Sequence, residues 1–192
     1  QFQGGSRISA SSINANFQAI VDYIQQYPGK KKPRLLNASA IGIYPSHNHP
    51  QTEHTTLDNT HALFSQQLVQ QWEHCAMQAR ELDAEVTCAR IGVVLGSSGG
   101  LIKQLRPVFR LGLGAIIGQP QHRMSWIHIT DLCHAIAFLL QQENWQPHYN
   151  LVSPTPCTQL QFADSFARAC ERPRLFRLPG TLIQCAFGQM GQ

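Results

Sequence analysis

RLLNAS at residues 34–39 is a short apolar run, and EVTCARIGVVLG at residues 85–96 is β-branched and apolar. Both have the make-up of strands buried in a parallel sheet. Between them Phe64, Leu68, Trp72, Cys75 and Ala79 recur at the spacing of one helix face. Upstream, Ile13, Phe17, Ile20, Val21 and Ile24 predict an amphipathic helix over residues 12–27, stopped by Pro28-Gly29. A polar loop rich in His and Pro fills Pro45 to about Thr60. Downstream, SSGG (97–100) breaks the chain, and Leu101–Leu111 reads as helical at least up to Pro107. After a Gly-rich segment (112–118), MSWIHI (124–129) reads as a strand leading into a helix capped by Thr130 or Asp131. HYNLV (148–152) is another strand, and Thr158 caps a helix through Cys170. RLFRL (174–178) is strand-like, and a last apolar helix begins after Pro179-Gly180. Helices alternate with strands throughout, which predicts an α/β fold with parallel pairing.

Composition narrows the function classes. The chain has 192 residues, 43% of them hydrophobic and 14% charged, enough apolar content for a packed core. Its net charge of +4 is scattered, apart from Lys30-Lys31-Lys32 and a thin cluster from Arg168 to Arg177. A nucleic-acid binder would show a basic stripe with interleaved aromatics; none is present. Apolar runs such as Ala135–Leu140 fall short of the roughly 18 residues a membrane span needs. The first twenty residues carry Ser, Asn and Gln where a secretory signal would be apolar, so a soluble, cytoplasmic protein is expected. The six Cys form no CxxC and read as small buried hydrophobes.

Four segments in register resemble the short-chain dehydrogenase/reductase superfamily in its extended, epimerase-like form: LLNASAIGIY (35–44), ARIGVVLG (89–96), FRLGLG (109–114) and SWIHITDL (125–132). SAIGIY, the Trp72-Glu73 pair, GGLIKQLRPVFRLGLG and MSWIHITDL are similar, more narrowly, to an atypical sugar-nucleotide epimerase-like subfamily, some of whose members carry a cell-division-inhibitor name. The tail from Asn150 to Pro179 resembles that subfamily's small C-terminal domain. The resemblance implies a Rossmann-type doubly wound parallel sheet with a small α+β substrate lobe. It assigns residues 1–100 to the later portion of an NAD(P)-binding Rossmann domain. Residues 101–192 form a mixed region, in which strand 124–129 returns to the sheet and 148–192 form the small C-terminal domain. The family opens with a strand, a Gly-rich turn and a helix that hold the cofactor pyrophosphate. No G-x-x-G-x-x-G stands in this sequence, and Gly4-Gly5 lacks a preceding apolar strand. The sheet is therefore expected to be incomplete at its N-terminal side.

Candidate site residues follow from the same matches. Ser39 ends its strand, where ligands bind in open parallel sheets, and the family's matching Ser hydrogen-bonds the reacting substrate oxygen; the alternative is a Ser closing a turn. Classical members add Tyr-x-x-x-Lys on the next helix, and aligning Glu73 puts Ser65 and Val69 at those positions, neither of which can do that chemistry. Tyr44 is the remaining phenol nearby and stands as a catalytic candidate, against packing under the loop. Glu53 is either a carboxylate at the site mouth or a solvated loop acid. Arg90 ends a strongly apolar strand, where an unpaired charge is costly; its partner is a cofactor group or an internal carboxylate. Ala40, Ile91 and Gly92 join Ser39 and Arg90 as cofactor-binding candidates, Gly92 because it permits close backbone approach. His128 and Asp131 are read as structural. His47, His49, His54 and His61 match no zinc pattern, so no metal site is expected.

These readings imply an NADP- or NAD-dependent epimerase/reductase-like protein. It would act by hydride transfer at a carbinol carbon of a sugar-nucleotide-like or small carbonyl substrate. The alternatives are a non-catalytic NAD(P)-binding protein of the same fold and an inert fragment. The partner is a small molecule, with neither nucleic acid nor membrane, and the resemblance admits a homodimer.

Overall fold

The structure, a computed structural model, describes residues 18–19, 22, 32–45, 49–57, 63–116, 119–172 and 176–177. Of the helix expected over 12–27, Gln18, Ala19 and Asp22 are described and helical. The rest of it, His47, His61 and the apolar helix after Gly180 lie outside the described residues. The chain divides into two units, residues 1–91 with 139–151, and residues 92–138 with 152–192. The turnover between them falls at Gly92, earlier than the boundary expected at residue 100.

The first unit is built on three strands: β1 (Arg34–Ala40), β2 (Glu85–Ile91) and a third at His148–Leu151, in the order β1, β2, then that strand, all parallel. A short 3-10 turn (Ile41–Ile43) follows β1, and α1 (Phe64–Met77) crosses to β2. Under α1 the sheet is apolar at one end: Val86 and Cys88 pack with Ala76 and Ala79, with Leu35 and Met77 at the margin. Its carboxyl ends are polar instead. The register aligns Ser39 with Arg90 and Arg90 with Asn150, so three polar residues form one row across three strands. Two residues earlier, Asn37, Cys88 and His148 form a second row on the same face.

The apolar stripe read along α1 is only partly its buried face: Ala79 is buried and Leu68, Trp72 and Cys75 are half-buried. Gln66, Val69, Glu73 and Ala76 are buried, whereas Phe64 is 74% exposed. The helix turns two polar side chains inward because both find partners there, Gln66 on the Tyr44 carbonyl and Glu73 on Ser39 and Arg90. Capping is partly as expected and partly not. No Thr130 or Asp131 cap opens the helix at Ile129–Gln141; His128 Nδ1 accepts from the Thr130 N–H. At that helix's end Arg34 and Trp145 donate to the carbonyls of Leu139, Leu140 and Gln142.

In the second unit the expected strand 85–96 has broken at Gly92, and β3 (Val93–Gly96) pairs in parallel with Trp126–His128. The segment expected to return to the main sheet thus lies beside β3. Helix α2 (Gly100–Arg110) runs past Pro107. Short strands follow in chain order: β4 (Ala115–Ile116), β5 (Arg123–Met124) and β6 (Trp126–His128). Then come α3 (Ile129–Gln141), β8 (Cys157–Thr158), α4 (Gln159–Ala169) and β9 (Phe176–Arg177), while β7 (His148–Leu151) is the third strand of the first unit's sheet. Thr158 caps α4 in a reciprocal box with Gln161, as the sequence predicts. Phe109, Ile116, Ala163 and Ala167 form this unit's core, with the Phe109 and Phe166 rings 4.6 Å apart. Among the described residues no helix is long and apolar enough to cross a membrane, and no group of three or more His, Cys, Asp or Glu is placed to hold a metal.

Candidate active site

A charge on a central strand must be neutralised locally, and Arg90 does so within its own unit. Its Nε donates to Glu73 Oε1 and its Nη2 to Glu73 Oε2, both at 2.8 Å. Its Nη1 donates to the Tyr44 hydroxyl at 2.8 Å, and the guanidinium carbon sits 5.1 Å from the Tyr44 ring centre. Arg90 is 3% exposed. Of the two partners considered for it, the internal carboxylate is the one present.

Ser39 Oγ donates to the same Glu73 Oε1 at 2.6 Å. Tyr44 donates onward to Asn150 Oδ1 at 2.8 Å, so its hydroxyl both accepts and donates. Glu53 Oε1 accepts from the Asn150 backbone N–H at 2.7 Å, clasping the loop onto β7 rather than standing free in solvent. His148 Nε2 lies 3.4 Å from Glu73 Oε2. Ser39, Glu73, Arg90, Tyr44 and Asn150 are therefore one connected polar network. Ala40 and Ile91 are register partners at the strand ends just beyond it.

The electrostatics follow from burial and pairing. Burial alone would raise the Glu73 pKa, but hydrogen bonds from Arg90 and Ser39 and the Arg90 charge outweigh it, and the carboxyl is held below its ordinary value. Burial works against the Arg90 charge, yet the bonds to Glu73 and Tyr44 win and its pKa rises. His148 is held below its ordinary value by burial and then by Arg90, with Glu73 opposing. Burial and the Glu73 charge push the Cys88 thiol up to about 11.

Gly92 does permit a close approach, but to protein. A Cβ there would lie 2.9 Å from both the Ser125 carbonyl oxygen and Val152 Cγ1. Ser65 and Val69, at the positions of the family's Tyr and Lys, are exposed and buried respectively. His49 and His54 are exposed, and Asp131 sits in the first turn of α3. Glu73 as the organising carboxylate, Gln66, Asn150 and His148 were not singled out from the sequence. The available signal was polar spacing: residues 37 and 39, 88 and 90, and 148 and 150 alternate on one sheet face.

A dinucleotide cofactor needs donors for its pyrophosphate. Arg90 does not offer its Nε, Nη1 and Nη2 donors to that group, because they are committed to Glu73 and Tyr44. Among the described residues the one buried side-chain polar atom without a partner is Gln51 Oε1, an acceptor that cannot bind phosphate.

Comparison with known proteins gives consistent results. Residues 10–151 match the model of the NAD dependent epimerase/dehydratase family. An epimerase family protein of Mycobacterium bovis is 37% identical over 158 residues, covering 81% of this chain and 51% of that protein. One from Staphylococcus aureus is 34% identical over 162 residues, covering 83% and 53%. The chain thus spans about half the length of these curated relatives. Among solved structures, human epimerase family protein SDR39U1 with NADPH superposes with a TM-score of 0.79 at 26% identity, over 96% of this chain and 64% of that one. A nucleoside-diphosphate sugar epimerase from Corynebacterium glutamicum, at 20% identity and a TM-score of 0.69 over 98% of this chain and 43% of that one, shares the fold.

Proposed function

Because the chain belongs to the NAD dependent epimerase/dehydratase family, we propose that it forms the substrate-side part of an NAD(P)-dependent epimerase/reductase-like protein. The reaction class is hydride transfer at a carbinol carbon of a sugar-nucleotide-like or small carbonyl substrate. Bound NAD(P) would supply the hydride acceptor or donor; the family's glycine-rich pyrophosphate turn has no counterpart in this sequence. What supports the reading is Ser39. It stands at the carboxyl end of β1, where open parallel sheets bind ligands, and its hydroxyl is oriented by a buried carboxylate that Arg90 in turn fixes. Tyr44 and Arg90, first considered for chemistry and cofactor binding, serve this reading as supports. Ala40 and Ile91 remain proposed contacts at the strand ends. The substrate is a small molecule, and a homodimer is compatible with the family.

The test is a fusion of this chain to the N-terminal portion of its Mycobacterium bovis relative, screened with sugar nucleotides and small carbonyls for change in reduced-cofactor absorbance. Turnover supports the proposal. A second reading, an NAD(P)-binding protein without turnover, is favoured by Val69 and Ser65 standing where the family's Lys and Tyr belong. Tight cofactor binding with no turnover across the screen would select it.

A further inference from the structure

A family lysine beside the reacting oxygen would bring positive charge there. At that position α1 carries Val69, and one helical turn later Glu73 brings a carboxylate to Ser39. The serine thus stands beside a paired carboxylate, with Arg90 balancing its charge, where the family has a free cation. A serine hydroxyl has one proton and two lone pairs. The Ser39 proton goes to Glu73 Oε1 in a 2.6 Å bond to an ionised acceptor. Glu73 has no proton to return, since Arg90 donates to both its oxygens and keeps it ionised. Lone pairs are all that Ser39 Oγ has left to offer.

We propose that Glu73 is the positioning residue of this site, locking Ser39 as a hydrogen-bond acceptor, so that of the two forms a hydride transfer interconverts Ser39 binds the donor, the carbinol hydroxyl, more tightly than the carbonyl. A ligand oxygen without a proton would meet the lone pairs of Ser39 with no hydrogen between them, a repulsive arrangement. A hydroxyl there would donate to Ser39, extending a line of hydrogen bonds that runs through Glu73 to Arg90 and polarises in one direction. Ser39 as the ligand-facing group rests on the function proposed above. The test needs neither cofactor nor turnover, so the two can fail separately.

NMR titration of the 192-residue chain with the matched probes cyclohexanol and cyclohexanone, following the Ser39 amide, measures the preference. The alcohol should bind at least about tenfold more tightly than the ketone, because a site built for a hydroxyl rejects an analogue lacking it. Ser39→Ala should bring the ratio to near unity with the fold intact. Ser39 and Arg90 Nε share Glu73 Oε1, so the double variant Glu73→Gln/Arg90→Met is the one that frees an amide nitrogen to donate to Ser39 Oγ and release the serine proton outward, which should shift the ratio toward the ketone. Three results would overturn the proposal: equal binding of the ketone by the unaltered chain, an alcohol preference that survives Ser39→Ala, or no response of Ser39 to either probe.

Discussion

Arg90 and Glu73 meet through two parallel hydrogen bonds of 2.8 Å, with side-chain exposures of 3% and 7%. The pair joins a central strand to the helix packed over it. Its fork-to-carboxylate geometry satisfies both ions where water reaches neither.

Removing one partner should therefore cost the fold rather than a ligand. Arg90→Met should destabilise the protein by about 3–5 kcal/mol, the range for breaking a buried pair and stranding its partner. Urea unfolding measures it. A loss below about 1 kcal/mol would mean that water or another cation replaces the guanidinium, and a double-mutant cycle with Glu73→Gln gives the coupling directly.

Acid should weaken the first unit in two stages. Glu73 and His148 both have folded-state pKa values below their ordinary ones, so the unfolded chain takes up each proton first as pH falls. Each contribution is whole above the unfolded value and is lost on the way down. For His148 that loss begins near its ordinary value of 6.5, and for Glu73 near 4.5. Burial is the largest cause of the His148 shift; among the charged groups Arg90 and Arg80 add to it while Glu73 and Glu53 oppose it. His148→Gln should flatten the decline that begins below pH 6.5 while leaving the lower stage in place. An unchanged upper slope in urea midpoints measured against pH would exclude His148 as its source.

Gly92→Ala tests what the glycine is for. The added methyl would sit 2.9 Å from the Ser125 carbonyl oxygen and from Val152 Cγ1, and overpacking of this kind costs about 1–3 kcal/mol. Thermal unfolding should show that loss. A neutral substitution would mean that the Ser125 and Val152 contacts yield without cost.

Much of the architecture was legible because period and punctuation agree. The strands read at 34–39 and 148–152 and the helix read from Thr158 as its cap are found at Arg34–Ala40, His148–Leu151 and Gln159–Ala169. The inward face of α1 was not legible. Its apolar stripe suggested one side, while the helix turned Gln66 and Glu73 inward toward partners distant in sequence. Arg90 shows the same boundary from the other direction. Burial announced that it needs a partner, but two candidates remained open until register placed it beside Ser39 and Asn150 and under Glu73. Gly92 was read as letting the backbone approach a cofactor, with no sign of the protein atoms that also come close there. That information lies in Ser125 and Val152, on other segments.

Calorimetric titration of the 192-residue chain with NADPH should show weak binding or none. The helix-terminus glycine turn that holds a pyrophosphate is not in this sequence, and the Arg90 donors are already used. Low-micromolar binding would show that other residues of this chain hold the phosphates.

The proposed function is tested most directly by Ser39→Ala in the fusion with the N-terminal portion of the Mycobacterium bovis relative, assayed by reduced-cofactor absorbance on a substrate found in the screen. Losing a hydrogen-bond partner of the reacting oxygen should lower turnover by about one to two orders of magnitude, the scale of a buried polar group left unsatisfied. Cofactor affinity and melting temperature should hold nearly constant. Turnover unchanged in the Ala variant would contradict the account and leave Ser39 as a residue that closes a strand.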